Sequence, residues 1–177
     1  RFINTIKNIS IYSEFVKTNN YKDAYEQGWK TVFEEAPLAT LNIYTHGVKI
    51  LRALYKEETD AAKKTQYSEE LMKVYEQRIK YLDQLNSFSK NKSTEAGIMI
   101  SYAHDYVTYN NKISIDKAYE LLRKTVDMNK GKTTYYVLDD LMKISSQRYL
   151  KDKNNDAYRD ALLQDYVDCA GYIDEFI

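Results

Sequence analysis

Apolar residues recur along this chain at steps of three and four, the spacing that keeps side chains on one face of an α-helix. Ile3, Ile6, Ile9 and Ile11, followed by Phe15 and Val16, make the first stripe. Ile43, Val48, Ile50, Leu51 and Leu54 repeat it between Leu41 and Tyr55, and Leu71, Met72, Tyr75, Ile79 and Leu82 give it again. Leu121, Leu122 and Val126, then Leu138, Leu141 and Ile144, and finally Leu162, Val167 and Ile173 continue the pattern to the end of the chain. No alternating run of the kind a half-buried strand requires competes with it. The stripes and the breaks between them predict eight helices, near 3–18, 21–35, 38–57, 61–84, 94–109, 114–129, 133–151 and 155–176.

The breaks carry helix-capping chemistry. Asn19-Asn20, Asn110-Asn111 and Asn154-Asn155 each precede a segment with alanine two to seven residues on. Asn and Asp end one helix and start the next because their short side chains accept from orphan backbone N–H groups. Pro37 fits the first turn of the third helix, where an absent N–H costs nothing. Asn86-Ser87-Phe88-Ser89-Lys90-Asn91-Lys92-Ser93 reads as a polar insertion, with Ser93 or Thr94 placed to cap the next helix.

An internal repeat runs through these elements. Tyr21-Lys22-Asp23-Ala24-Tyr25-Glu26 is echoed by Ile115-Asp116-Lys117-Ala118-Tyr119-Glu120, more loosely by Asn155-Asp156-Ala157-Tyr158, and weakly by Thr59-Asp60-Ala61-Ala62. The marker alanines Ala24, Ala61, Ala118 and Ala157 are 37, 57 and 39 residues apart. Two of these spacings fall near the period of helix-pair repeats, and the long one accommodates the polar insertion at 86–93. Each marker opens the second helix of a pair, where a small residue lets two backbones cross closely. The expected fold is all-α, an α-solenoid of about four antiparallel hairpins forming one domain over 1–177.

Composition narrows the function classes. Charged residues make up 29% of the chain, with 26 Lys and Arg balanced by 26 Asp and Glu. Nucleic-acid binding draws on an excess of cations to neutralise phosphates, so no nucleic-acid partner is expected. Apolar runs are too short to span a membrane. A lone cysteine, Cys169, forms no internal disulfide. There are 18 tyrosines against one proline and five glycines, a balance suited to long helices with aromatic contacts.

Candidate chemistry is sparse. Gly131-Lys132-Thr133 ends like a phosphate loop, but the position five residues earlier is Val126, where that loop needs glycine. A helix-ending glycine followed by a cap at Thr133 or Thr134 explains the triplet better. His46 and His104 form no HExxH-type pair and have no nearby cysteine, so no metal site is expected. Cys169 with His104 could be drawn as a dyad, yet lone helical cysteines usually serve as small buried hydrophobes. Glu34-Glu35, Glu57-Glu58 and Asp139-Asp140 are sequence neighbours that point about 100° apart on a helix and do not converge as an acid–base pair. No catalytic residue and no cofactor is expected. Tyr102, Tyr106 and Tyr109 share a helix face, and Tyr135, Tyr136 and Tyr149 lie on the next first helix; such stripes serve either layer packing or a protein interface.

Several of these segments resemble a group of tetratricopeptide-repeat proteins of Bacteroidetes bacteria. The resemblance rests on Tyr21-Lys22-Asp23-Ala24, Trp29, Val32-Phe33, Pro37, Asn42-Ile43-Tyr44, Gly47-Val48-Lys49-Ile50 and the run from Leu71 to Tyr81. It continues more loosely through Ala118-Tyr119-Glu120-Leu121-Leu122, Val137-Leu138 and Asp165-Tyr166. It implies a right-handed superhelix with its first helices lining a concave groove, a non-enzymatic adaptor role toward a protein or peptide, and placement in the cell envelope or periplasm. By that resemblance the groove residues are Tyr44, Val48, Tyr102, Tyr106, Met142 and Tyr149. The alternatives are a helical-repeat RNA-binding module and a helical accessory domain of a larger envelope protein.

Overall fold

The computed structural model describes residues 2–174, with side chains over 3–173, and every described element is helical. The order is α1 (Phe2–Lys17), α2 (Tyr21–Ala24), a π-helical turn (Tyr25–Trp29), α3 (Lys30–Glu35), α4 (Asn42–Glu57), α5 (Ala61–Lys80), α6 (Leu82–Phe88), α7 (Glu95–Thr108), α8 (Ile115–Asn129), a short 3₁₀ turn (Lys130–Lys132), α9 (Tyr135–Lys151) and α10 (Asp156–Asp174). No helix is long and apolar enough to cross a membrane among the described residues.

The chain divides into two compact units. One holds the chain up to Glu95 together with Tyr109–Asn111; the other holds Ala96–Thr108 and the chain from Lys112 onward. In the first unit, α1 packs on α2 and the π-turn, and α4 lies along α5. In the second, α9 packs against both α8 and α10.

Local caps explain several starts. Asn20 accepts from the Asp23 backbone N–H, Asp60 from that of Lys63, and Ser114 from that of Lys117. Three boundaries differ from the expected ones. The helix expected at 38–57 begins only at Asn42, and Pro37 sits in the preceding turn, where its carbonyl accepts from the Tyr44 hydroxyl at 2.9 Å. The helix expected at 61–84 breaks at Tyr81 (φ −101°, ψ 14°), and a separate α6 then carries helical structure into the expected polar insertion. The left-handed residue that ends α8 is Lys130 (φ 49°) and not Gly131. Thr134 occupies the cap position of α9, yet its hydroxyl makes no capping bond.

The marker alanines split into two kinds. Ala24 and Ala118 are buried at helix contacts, as the repeat predicts, whereas Ala61 and Ala157 are exposed. Small size at those two positions does not serve close crossing; both lie in a helix's first turn.

Candidate protein-binding surfaces

The second helix of the first unit bends at Gln27 and Gly28, whose φ and ψ are not helical. Gly28 has φ 157°, and a Cβ there would lie 2.7 Å from the Asn8 carbonyl oxygen. Only glycine allows α1 and the π-turn to approach this closely. Gly47 on α4 would place a Cβ 2.6 Å from Trp29 Cζ2. The indole therefore lies directly on the α4 backbone, and its Nε1–H donates to the Ile43 carbonyl at 2.8 Å. Trp29 is fully buried. Across a kink in which Gln27 and Gly28 leave helical φ and ψ, Tyr25, Trp29 and Phe33 stack as a ladder, with ring centroids 5.9 Å and 5.1 Å apart.

Trp29 and Phe33 of this ladder line a cleft between α3 and α5 of about 500 Å³. Trp29, Phe33, Lys30 and Glu34 line one side, and Glu70, Lys73, Glu76, Gln77 and Lys80 line the other. Lys30 Nζ donates to Glu70 Oε1 and to the Tyr25 hydroxyl, both at 3.0 Å. Those hydrogen bonds, from Tyr25 first and Glu70 second, hold the Lys30 ammonium above its ordinary pKa. The Tyr25 hydroxyl donates to Glu70, and Gln66 Nε2 donates to both. Gln77 Nε2 crosses back to the Phe33 carbonyl at 3.0 Å. The result is a pre-formed trough with an aromatic base and walls of both charge signs.

The six residues expected to line a groove lie elsewhere and differ in exposure. Tyr44 is fully buried, and Tyr102 and Tyr106 are each 5% exposed. Tyr44 packs edge-on against Phe33 and bonds to Pro37, while Tyr106 takes Lys117 Nζ over its ring. These three rings serve packing. Val48, Met142 and Tyr149 are half-buried and keep surface toward solvent. Tyr44 and Val48 belong to the first unit, the other four to the second. The cleft could be glimpsed in the sequence from the aromatic spacing of Tyr25, Trp29 and Phe33 at steps of four, but its far wall on α5 could not.

Other reactive groups sit in packing roles. His104 Nδ1 lies 2.5 Å from Asp140 Oδ2 and its ring leans on Tyr136 at 4.7 Å. Burial raises the Asp140 pKa against the pull of His104. Thr108 Oγ1 is 3.5 Å from His104 Nε2. Cys169 is buried, and burial pushes its thiol up to about 11, so the reactive thiolate is scarce at neutral pH. His46, beside Tyr12 at 5.8 Å edge-on, is held below its ordinary pKa by burial. Among the described residues, no three His, Cys, Asp or Glu side chains group to hold a metal ion.

Set against family models, curated proteins and solved structures, the chain finds no match.

Proposed function

We propose that the chain is a protein-binding helical scaffold of tetratricopeptide-like architecture, with its hairpins stacked as a solenoid, and that it performs no catalysis of its own. The observation carrying this reading is the cleft between α3 and α5, about 500 Å³, pre-formed over a stacked aromatic floor and rimmed by lysines and glutamates. Concave sites are where proteins take ligands, and in this one two aromatic rings lie among seven charged or polar side chains. Alternating charge along the rim supplies register and selectivity toward a partner segment more than raw affinity. An extended peptide of a few residues fits such a trough, with its backbone met by Gln77 and its charged side chains by Lys73, Lys80 and Glu34. The resemblance of Tyr21–Ala24, Asn42–Tyr44 and the run from Leu71 to Tyr81 to tetratricopeptide-repeat proteins supports the same adaptor role.

The test places a photo-crosslinking amino acid at Lys73, which is exposed, and irradiates the protein in an extract of its source cells. A discrete adduct should form there and not from the same probe at Lys22. It should disappear when the probe at position 73 is combined with Lys80→Glu in protein whose melting curve is unchanged. Equal labelling from both positions, or an adduct indifferent to the charge reversal, would defeat the reading.

A further inference from the structure

Two contacts one helical turn apart join α1 to the π-turn and to α4. At Asn8 the α1 backbone lies on Gly28, so close that a Cβ on the glycine would meet the Asn8 carbonyl oxygen at 2.7 Å. At Tyr12, which is fully buried, the ring meets the His46 imidazole of α4 edge-on, with centroids 5.8 Å apart and planes at 82°. The first contact is backbone on backbone and contains no titratable group. The second rests on a histidine, the side chain whose ordinary pKa places its change of charge between about pH 5 and 8.

His46 fits this interface in its neutral form. Its Nδ1 is buried and meets no hydrogen-bond partner. A protonated imidazole carries an N–H on both ring nitrogens, and a buried charged donor without an acceptor costs far more than a neutral one. The surroundings give the charge no relief. Tyr12 faces it from α1 with a hydroxyl that burial pushes up to about 12, so that group stays uncharged through the acid range. On α4 itself, Lys49 lies one turn on; burial first, and then the Lys49 ammonium, hold the His46 pKa below its ordinary value. The carboxylates of the elements packed on α4 are directed elsewhere. Glu14 of α1 pairs with Lys17, Asp23 of α2 takes Asn20 and Gln27, and Glu26 of the π-turn acts on Tyr67. Glu34 of α3 lines the α3–α5 cleft, Glu35 shares a hollow with Lys7, and Glu70 of α5 takes Tyr25 and Lys30.

We propose that His46 is a pH-sensitive latch of the first unit: neutral, it seats Tyr12 and holds α1 against α4; protonated, it leaves the interface and frees α1 there. The direction follows from linkage. Because its folded pKa lies below the ordinary 6.5, His46 contributes its full stabilising share above about pH 6.5 and loses it as the pH falls. Each pH unit below that point raises the opening of α1 by up to about tenfold, until His46 protonates in the closed form as well. Trp29, seated on the neighbouring Gly47, is held by its own bond to the Ile43 carbonyl, so α4 keeps its place while α1 opens. The α3–α5 cleft contains neither Tyr12 nor His46, and the latch stands or falls separately from partner binding there.

Hydrogen exchange of backbone amides, followed by NMR from about pH 7.5 to about pH 5.5 and corrected for intrinsic exchange, reads local opening helix by helix. The opening constant of the α1 amides should rise about tenfold over that range while those of α4 and α5 hold level. In His46→Phe, which keeps a ring against Tyr12 and takes no proton, the α1 constant should be independent of pH; His46→Gln serves if that variant unfolds. Lys49→Glu, at an exposed position, sets a counter-charge beside the imidazolium and should flatten the rise. His104→Gln removes the other histidine and should leave the rise as in the wild type. A wild-type α1 whose opening ignores pH overturns the proposal. So does a rise that persists without His46, which would assign it to other groups, or a rise shared equally by α1, α4 and α5, which would be a general loosening of the unit in acid.

Discussion

The two units hold their helices together by different physics. The first relies on rings: Tyr25, Trp29 and Phe33 stack along one bent helix, and Gly28 and Gly47 clear space for that helix against α1 and for Trp29 against α4. The second relies on a buried carboxylate. Asp165, 1% exposed, accepts from Ser145 Oγ at 2.6 Å and from Arg123 NH1 at 2.9 Å, with the Tyr119 hydroxyl at 3.5 Å. Arg148 is then clamped between the Tyr119 and Tyr158 rings at 4.3 and 4.2 Å while its Nε–H reaches Asp116. Stacked rings are tolerant of angle and intolerant of lost volume. A buried ionic hub has the opposite character: its geometry is directional, and an apolar set of equal volume can replace it. The contrast shows that one helical pattern of apolar positions leaves the choice of inter-helix cement open.

The contrast breaks most visibly at Trp29. Trp29→Ala should lower stability by about 3–5 kcal/mol in chemical denaturation, since it removes the largest buried ring and opens a cavity against a backbone that cannot collapse. A loss under about 1 kcal/mol would show that the ladder is ornamental to the first unit. Arg123→Ala should cost about 3 kcal/mol, because it strands the Asp165 charge in the interior. Arg123→Met combined with Asp165→Leu should recover more than half of that loss. If the double variant is instead the worse of the two, the hub contributes net stability and the contrast with the first unit disappears.

Gly47→Ala comes next, with an expected cost of about 1–3 kcal/mol from overpacking, since the indole it meets is pinned by its bond to Ile43. Its near-ultraviolet signal should change along with stability; a silent substitution would mean the indole moves freely. Cys169 then reports on the second unit. Its thiol is raised by burial from 9 to about 11, so its stabilising share is intact below pH 9 and lost as pH climbs toward about 11. Melting temperature over that interval should fall more steeply in the wild type than in Cys169→Ala. Thiol labelling at neutral pH should run only as fast as the second unit opens, and fast labelling of the folded protein would contradict the buried placement. The smallest effect belongs to Lys30→Met, below about 1 kcal/mol, because Lys30 is 40% exposed and water screens its pair with Glu70.

Helix existence was readable throughout because a period near 3.6 is a local property that burial of one face imposes on each segment separately. Particular caps were readable for the same reason: Asn20 and Asn155 act on backbone groups within three residues. Helix interruptions were not. The break at Tyr81 sits in a segment with unbroken helical composition, and at Tyr25–Trp29 the one local signal is Gly28, whose φ of 157° bends the chain; packing against another helix makes each irregular turn the lower-energy choice. The tyrosine stripe at Tyr102 and Tyr106 was legible as a stripe, but burial alone distinguishes packing from display.

What the chain's residues determined by themselves is therefore the all-helical class, the approximate places where helices start and the balanced charge. Each arises from interactions a few residues long. What the tertiary structure decided is which faces meet: that Trp29 lies on Gly47, that Asp165 collects Arg123 and Ser145 from two other helices, and that α3 and α5 enclose a cleft. Those outcomes depend on contacts between residues far apart in the chain, where nearly any apolar or charged neighbour satisfies the local pattern, and only simultaneous packing of the helices selects one.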